Sequence, residues 1–172
     1  CDIEEDSVFV CNDCLNIQNK KEWMVVQHIK RNVDTSFIYN SSKMVQPDVC
    51  SKKRPDIYFE LNKHCVIVEI DENQHKCYEE ICECARINEI VNGIGGKSVV
   101  IIRFNTDKIY NKKKEVKIPL TIRLSNLIET IKEELVKEYD VFRVILIQMY
   151  FDDICTKYQD IKQEDITDLV CI

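Results

Sequence analysis

The sequence predicts an α/β fold in which a single mixed β-sheet is flanked by helices. Three patterns indicate this class: apolar runs rich in β-branched residues, amphipathic stretches with apolar residues three or four positions apart, and a glycine-rich break between a helix and the next strand. Helix-like and strand-like segments follow one another in the order α-β-β-β-α-β-α-β. We therefore expect neither an all-helical nor an all-β structure.

The first half of the chain is predicted to form one helix and three strands. Trp23, Val26 and Ile29 recur at helical spacing, and the later apolar run 66–68 is typical of a buried strand. A polar turn at 62–64 suggests that the second and third strands form an antiparallel hairpin. The expected bounds are 18–31 for the helix and 36–39, 57–61 and 65–71 for the strands.

The second half is predicted to alternate between helix and strand. A helix is expected to end at the glycines of the stretch 93–96, and Pro119 is expected to begin a long amphipathic helix. A right-handed crossover would make the strands 65–71 and 98–104 parallel neighbours or near-neighbours. We expect the tail after Asp152 to be helical or irregular. The remaining expected bounds are helices 76–92 and 119–139 and strand 142–149.

Composition is typical of one globular domain rather than a disordered chain. The 172 residues are 45% hydrophobic and 31% charged. No apolar run approaches the roughly 20 residues that span a bilayer, so we expect no membrane segment, and we find no signal peptide pattern. We interpret residues 18–172 as the domain and residues 1–17 as an irregular N-terminal segment. Because the sequence begins with Cys1, an additional upstream portion is one interpretation.

The ten cysteines do not follow the spacing of a secreted disulfide framework. Several lie within expected helices and strands, which favours reduced thiols and an intracellular reducing compartment, either cytoplasm or nucleus. Cys11 and Cys14 have metal-ligand spacing, but a structural Zn²⁺ site needs four ligands. The alternatives are therefore a partial zinc module and two free thiols in a turn.

Three carboxylates stand at the ends of the two expected central strands. Asp56 opens the first strand, and Glu69 and Asp71 close the second. If the strands pair as a hairpin, Asp56 and Glu69 lie at the same end of the sheet, where a divalent cation would relieve their repulsion. Oxygen ligands of this kind suit Mg²⁺. The alternative is an exposed strand end with solvated acids.

The net charge of −6 argues against a protein that coats DNA non-specifically, but the basic residues are grouped. Three groups border the acidic strand ends in the sequence, although each could instead be a solvated loop. They comprise Lys20, Lys21, Lys30 and Arg31; Lys52, Lys53 and Arg54; and Lys112, Lys113, Lys114 and Lys117.

The ordered motifs "RPD", "VIVEIDENQH", "ECAR" and "VVIIRFNTD" resemble the PD-(D/E)XK nuclease superfamily over roughly residues 18–110. The most similar branch contains very-short-patch mismatch endonucleases and EDxHD homing endonucleases. The chain also resembles large-DNA-virus and protist proteins in which cysteine/histidine zinc modules precede such a nuclease core. This resemblance implies a restriction-endonuclease-like α/β core.

The resemblance also implies a metal-dependent DNA endonuclease that uses Mg²⁺ or Mn²⁺, with DNA as its partner and a homodimer as an open possibility. Asp56 and Glu69 match the metal ligands, Glu22 matches a helical glutamate, and His75 matches the catalytic histidine. Asp71 occupies the position of the superfamily's usual lysine, as in the histidine-using branch. Substrate-contacting residues would be Lys53, Arg54, Arg86 and Arg103.

Two other classes remain consistent with the sequence. One is a nucleic-acid-binding domain that keeps the nuclease fold without catalysis. The other is a zinc-containing structural or interaction protein in which the acidic cluster is incidental.

Overall fold

The computed structural model describes residues 21–39, 55–71, 90–91, 93–94, 96–153 and 156–161. Within these segments, two long helices accompany a six-stranded mixed sheet and a separate two-stranded hairpin. The helices are α1 (Lys21–Asn32) and α2 (Leu120–Val136). The large sheet contains β1 (Ile38–Tyr39), β2 (Ile57–Glu60), β3 (His64–Asp71), β4 (Ser98–Asn105), β7 (Val144–Met149) and β8 (Thr156–Ile161), and the hairpin contains β5 (Ile109–Asn111) and β6 (Lys114–Val116).

The predicted α/β class and the single mixed sheet are confirmed. The strand order is β1-β2-β3-β4-β7-β8. β3 and β4 pair in parallel along their whole length, from His64 beside Ser98 to Asp71 beside Asn105. This confirms the predicted parallel pairing of the two most apolar strands. Of the predicted helix 76–92, the structure describes Ile90 and Val91, both helical.

The two faces of the sheet bury different sets of side chains because strand residues alternate between faces. We call one the helix face, because its residues pack with apolar residues of α1 and α2. We call the opposite one the site face. On β3 the helix face carries Val66, Val68 and Ile70, and the site face carries Cys65, Ile67, Glu69 and Asp71. Ile90 packs on the site face.

Both long helices are amphipathic, which explains their position on one face. α1 buries Val25, Val26 and Ile29, and α2 buries Leu127 and Ile131 among others. α2 begins directly after Pro119, as its sequence predicts, because proline lacks the N–H that a first turn leaves unused. No helix in the described segments is long and apolar enough to cross a membrane.

Two strand regions depart from the sequence-based expectation. The tail is not simply helical or irregular, because β8 pairs antiparallel with β7 from Val144–Ile161 to Met149–Thr156. The β5–β6 hairpin was not expected either. Its turn contains Lys112 and Lys113 instead of the Asn-Gly that usually marks a two-residue hairpin loop.

Candidate active site

The first part of the candidate site lies where β2 begins and β3 ends. Ile57 is opposite Val68, so continuing the register by one residue places Asp56 opposite Glu69. The Ile70 N–H donates to Oδ2 of Asp56 over 2.7 Å. Pro55, the next residue outward on that side, has no N–H for a ladder bond. The Asp56 carboxylate thus caps the end of the β2–β3 ladder and lies beside the chain between Glu69 and Asp71.

Glu69 and Asp71 both project to the site face, two residues apart on β3. Glu69 is 5% exposed and Asp71 is 1% exposed. Carboxylates are rarely buried to this extent unless they are paired or bind a cation. The structure therefore brings three of the predicted acids together: Asp56 beside Ile70, and Glu69 and Asp71 on either side of it.

Arg103 on β4 supplies a buried positive charge to this group. It lies beside Glu69 in the parallel register, and its Nε donates to Oδ2 of Asp71 over 2.7 Å. Its guanidinium carbon also lies 5.2 Å from the centroid of the Phe151 ring, within the range of a cation–π contact. These contacts fix the orientation of Asp71, so Arg103 acts on the site at least in part through that carboxylate.

The loop after β4 is fastened to the same strand end. The N–H and Oγ1 of Thr106 donate to the Asp71 carbonyl, over 3.3 and 3.4 Å. From α2, Arg123 donates to the carbonyls of Asn105 and Asp107 over 3.0 and 2.9 Å. Burial lowers the pKa of the Arg123 guanidinium. A cation from the helix face thus supports the turn that follows Arg103, and no pattern in the sequence had marked this arginine as part of the site.

A polar row continues across the site face beyond Arg103. Arg103 pairs with Gln148 on β7, and Gln148 pairs with Lys157 on β8. Lys157 is exposed. Neither residue was expected at the site. Gln148 lies in the predicted strand 142–149, whose neighbours in the sheet were not predicted, and Lys157 lies in the tail, which was not predicted to form a strand. The stretch TKYQDI at 156–161 does not alternate strictly between apolar and polar residues, so no local pattern marked this strand.

The described hydrogen bond of Glu22 is to Tyr39, and its place at the site stays a prediction. Glu22 is on α1, which packs on the helix face, and its Oε1 accepts a hydrogen bond of 2.6 Å from the Tyr39 hydroxyl. The ring of Tyr39 is also in edge-to-face contact with Trp23, with centroids 6.1 Å apart. These contacts join α1 to the edge strand β1, so they give Glu22 a role in packing.

Several predicted site residues lie outside the described residues. Their assignments remain predictions: His75 as the proton-transfer residue, Lys53, Arg54 and Arg86 as substrate contacts, and Cys11 and Cys14 as zinc ligands.

The donor set suits a hard cation held by few protein ligands. Among the described residues, no group of three or more histidine, cysteine or acidic side chains has metal-binding geometry. Mg²⁺ usually takes only one or two carboxylates and completes its shell with water and phosphate oxygens. Asp56 and Glu69, opposite one another at the end of the ladder, fit that smaller requirement.

Fold and site together define an α/β protein with buried acids at the end of its central parallel strands. No family model matches the chain, and neither a curated protein nor a solved structure is significantly similar to it. Its function must therefore be inferred from the site itself and from the ordered sequence motifs.

Proposed function

We propose that this domain is a metal-dependent endonuclease that hydrolyses DNA phosphodiester bonds with Mg²⁺ or Mn²⁺. The observation that carries the proposal is the gathering of Asp56, Glu69 and Asp71 at one end of β3. A metal-dependent nuclease needs oxygen ligands for a cation beside a place where a phosphate can lie. The basic groups that border these acids in the sequence favour a phosphate-containing substrate, and the motif resemblance indicates DNA.

Each described residue has a distinct part in this proposal. Asp56 and Glu69 provide the cation ligands, and the Ile70 amide holds Asp56 in place. Asp71, fixed by Arg103, orients groups around the site without binding the cation directly. A bound cation would lower the pKa of a water ligand and offset charge developing on the phosphate.

Incubation of the purified protein with supercoiled plasmid and Mg²⁺ or Mn²⁺ tests the proposal. The parent protein should convert the plasmid to nicked or linear product. Asp56→Asn and Glu69→Gln should each cleave at least roughly a hundredfold more slowly, since metal-based charge stabilisation is worth several kcal/mol. Glu60→Gln, which changes an exposed acid on β2, is the matched control and should cleave normally. Equal rates in all four proteins would refute the assignment.

The proton-transfer assignment to His75 rests on the resemblance and has its own test. His75→Ala should bind DNA nearly as well as the parent but cleave at least roughly a hundredfold more slowly, the typical effect of losing a general acid or base. Lys76→Ala is the control, because a lysine-based site would reverse the result. Normal cleavage by His75→Ala together with loss in Lys76→Ala would exclude the histidine-using branch.

A second candidate function is a DNA-binding domain without catalysis. Asp56 and Asp71 have structural contacts in the fold: Asp56 accepts the Ile70 amide, and Asp71 binds Arg103. These contacts favour the interpretation that the acids stabilise the fold and do not take part in catalysis. Such a domain would shift the mobility of a DNA duplex in the presence of Mg²⁺ or Mn²⁺ without cutting it, whereas the proposed nuclease would cut.

A further inference from the structure

The β5–β6 hairpin concentrates positive charge in an acidic chain. Residues 108–117 contain five lysines and one glutamate, a net charge of +4, whereas the whole chain carries −6. All side chains in the stretch 111–117 are exposed. A patch of this sign attracts polyanions, and a two-stranded ribbon is narrow enough to enter a DNA major groove about 12 Å wide.

The tip of the hairpin contains two lysines whose backbone has positive φ angles, a conformation that is unfavourable for lysine. Lys112 and Lys113 are the two central residues of the turn, flanked by the pair Asn111–Lys114, and their φ angles are 46° and 67°. A loop with two positive φ angles usually contains asparagine and glycine. Side chains held in such conformations often serve a function that offsets their conformational cost.

The hairpin backbone is fastened to the segment after β7, which fixes its direction. The N–H groups of Lys112 and Tyr110 donate to the carboxylates of Asp153 and Asp152, over 2.7 and 2.8 Å. The Asp153 N–H donates to the Tyr110 carbonyl over 2.8 Å. The lysines therefore project from a braced ribbon, so less conformational freedom is lost when they bind.

The hairpin also begins at the candidate site. It follows β4, whose Arg103 binds Asp71, and Thr106 between them donates to the Asp71 carbonyl. Lys112 comes seven residues after Asn105, so a rise of about 3.3 Å per residue limits the backbone distance between them to roughly 23 Å. A DNA duplex with one phosphate at the acids is long enough to span that distance to the hairpin.

We propose that the β5–β6 hairpin is a second DNA contact, in which Lys112, Lys113, Lys114 and Lys117 bind backbone phosphates of the duplex held at the acidic site. This inference rests on the proposed function for the position of the cleaved bond. It assigns the hairpin to affinity and positioning, separately from bond cleavage.

The double substitution Lys112→Asn with Lys113→Gly tests the proposal, because it removes two charges and installs the residues that the turn prefers. We expect the melting temperature to equal or exceed that of the parent. Binding of a short fluorescein-labelled DNA duplex, measured in EDTA so that nothing is cut, should weaken at least about tenfold at low salt. The slope of log affinity against log salt should fall by about 1.8, since each lost phosphate contact contributes about 0.9.

The matched control is Lys63→Gln with Lys132→Gln, which changes the net charge equally at two exposed sites away from the hairpin. The control should keep nearly the parent's affinity and salt slope. Equal weakening in both double variants, or unchanged binding by the hairpin variant, overturns the proposal. The proposal is also overturned if the parent protein does not bind the duplex, whether or not it binds phosphatidylserine vesicles.

The outcome is separable from that of the nuclease proposal. If the hairpin variant loses affinity as expected but the parent never cuts plasmid, the hairpin contact stands and the nuclease activity is wrong. If the parent cuts plasmid but the hairpin variant binds DNA normally, the nuclease activity stands and the hairpin contact is wrong.

Discussion

The two ends of β3 hold buried acids in different ways. At the end of the strand, Glu69 and Asp71 lie with Asp56 and Arg103. At its beginning, His64 lies against Glu134, which is 1% exposed although it belongs to α2. We call these the carboxylate end and the glutamate end. The comparison sets acids that hold the fold together beside acids that we propose to serve catalysis.

The glutamate end is a small set of contacts between His64 and the residues at the end of α2 and just after it. The Tyr139 hydroxyl donates to Oε2 of Glu134 over 2.6 Å, and the Lys137 ammonium binds Oε1. Nε2 of His64 lies 2.9 Å from the Glu134 carbonyl oxygen, and its ring meets the Tyr139 ring edge to face. One carboxylate, one ammonium and one phenol from a six-residue span join the end of α2 to the start of β3.

The carboxylate end gathers like charges instead. Its described part holds three carboxylates and one guanidinium, drawn from the start of β2 and from near the ends of β3 and β4. A fold that needed only a buried link could use one acid and one base, as the glutamate end does. Three acids at one strand end offer oxygen ligands to a divalent cation, which is why we propose that the carboxylate end serves catalysis.

The largest expected effect on stability comes from breaking the buried pair at the carboxylate end. Arg103→Leu leaves Asp71 buried beside an apolar side chain, and it should lower the free energy of unfolding by about 3–5 kcal/mol. Urea unfolding followed by circular dichroism measures this. The double variant Arg103→Leu with Asp71→Leu should recover most of the loss, because it removes both charges.

The same double variant sharpens the comparison. If the carboxylate end is catalytic, the double variant should fold but cleave poorly, since the group that orients the site is gone. A stable double variant with normal plasmid cleavage would show that the Asp71–Arg103 pair is structural only.

A smaller effect is expected at the glutamate end. Glu134→Gln keeps the shape but weakens the bonds to Tyr139 and Lys137, so it should cost about 1.5–3 kcal/mol, the range for hydrogen bonds to charged groups. Plasmid cleavage measured well below the melting temperature should stay at the parent's rate. If Glu134→Gln kept the parent's free energy of unfolding but cleaved slowly, the glutamate end would not be purely structural.

The central strands were predictable from the sequence and the peripheral ones were not, for a physical reason. β3 and β4 are continuous β-branched runs whose burial requires a sheet, so their parallel pairing could be inferred from the residue pattern alone. β8 and the β5–β6 hairpin are short and polar. Their strand conformation depends on pairing with β7 and on the bonds from Asp152 and Asp153, which no local pattern shows.

The candidate site was predictable to a similar degree. Strand ends are visible in the sequence, so Asp56, Glu69 and Asp71 could be placed together. The contacts that orient them depend on register and side-chain geometry, which spacing alone does not fix. One such contact is the hydrogen bond from the Ile70 amide to Asp56. Another is the bond from Arg103, which goes to Asp71 although Arg103 lies beside Glu69 in the register.

The smallest expected effect is a pH dependence that arises at Tyr58, which pairs with Ile67 in the middle of β3. Burial, with smaller contributions from nearby Cys65 and Glu60, raises the pKa of Tyr58 to about 12. In the unfolded chain a tyrosine loses its proton near pH 10, so its stabilising contribution is complete below that pH and is lost as the pH rises toward 12. The free energy of unfolding should therefore fall by up to about 1.4 kcal/mol per pH unit for this one group.

Tyr58→Phe should lessen that slope between about pH 10 and 12, as measured by urea unfolding at several pH values. Part of the slope should remain, because burial also raises the pKa of the Cys65 thiol to about 12 and raises the pKa of Tyr139. Asp56→Asn, a change at the carboxylate end, should leave the alkaline slope as it is in the parent. If Asp56→Asn flattened the slope as much as Tyr58→Phe does, the alkaline sensitivity would not arise from Tyr58 independently of the carboxylate end, and the two would be coupled.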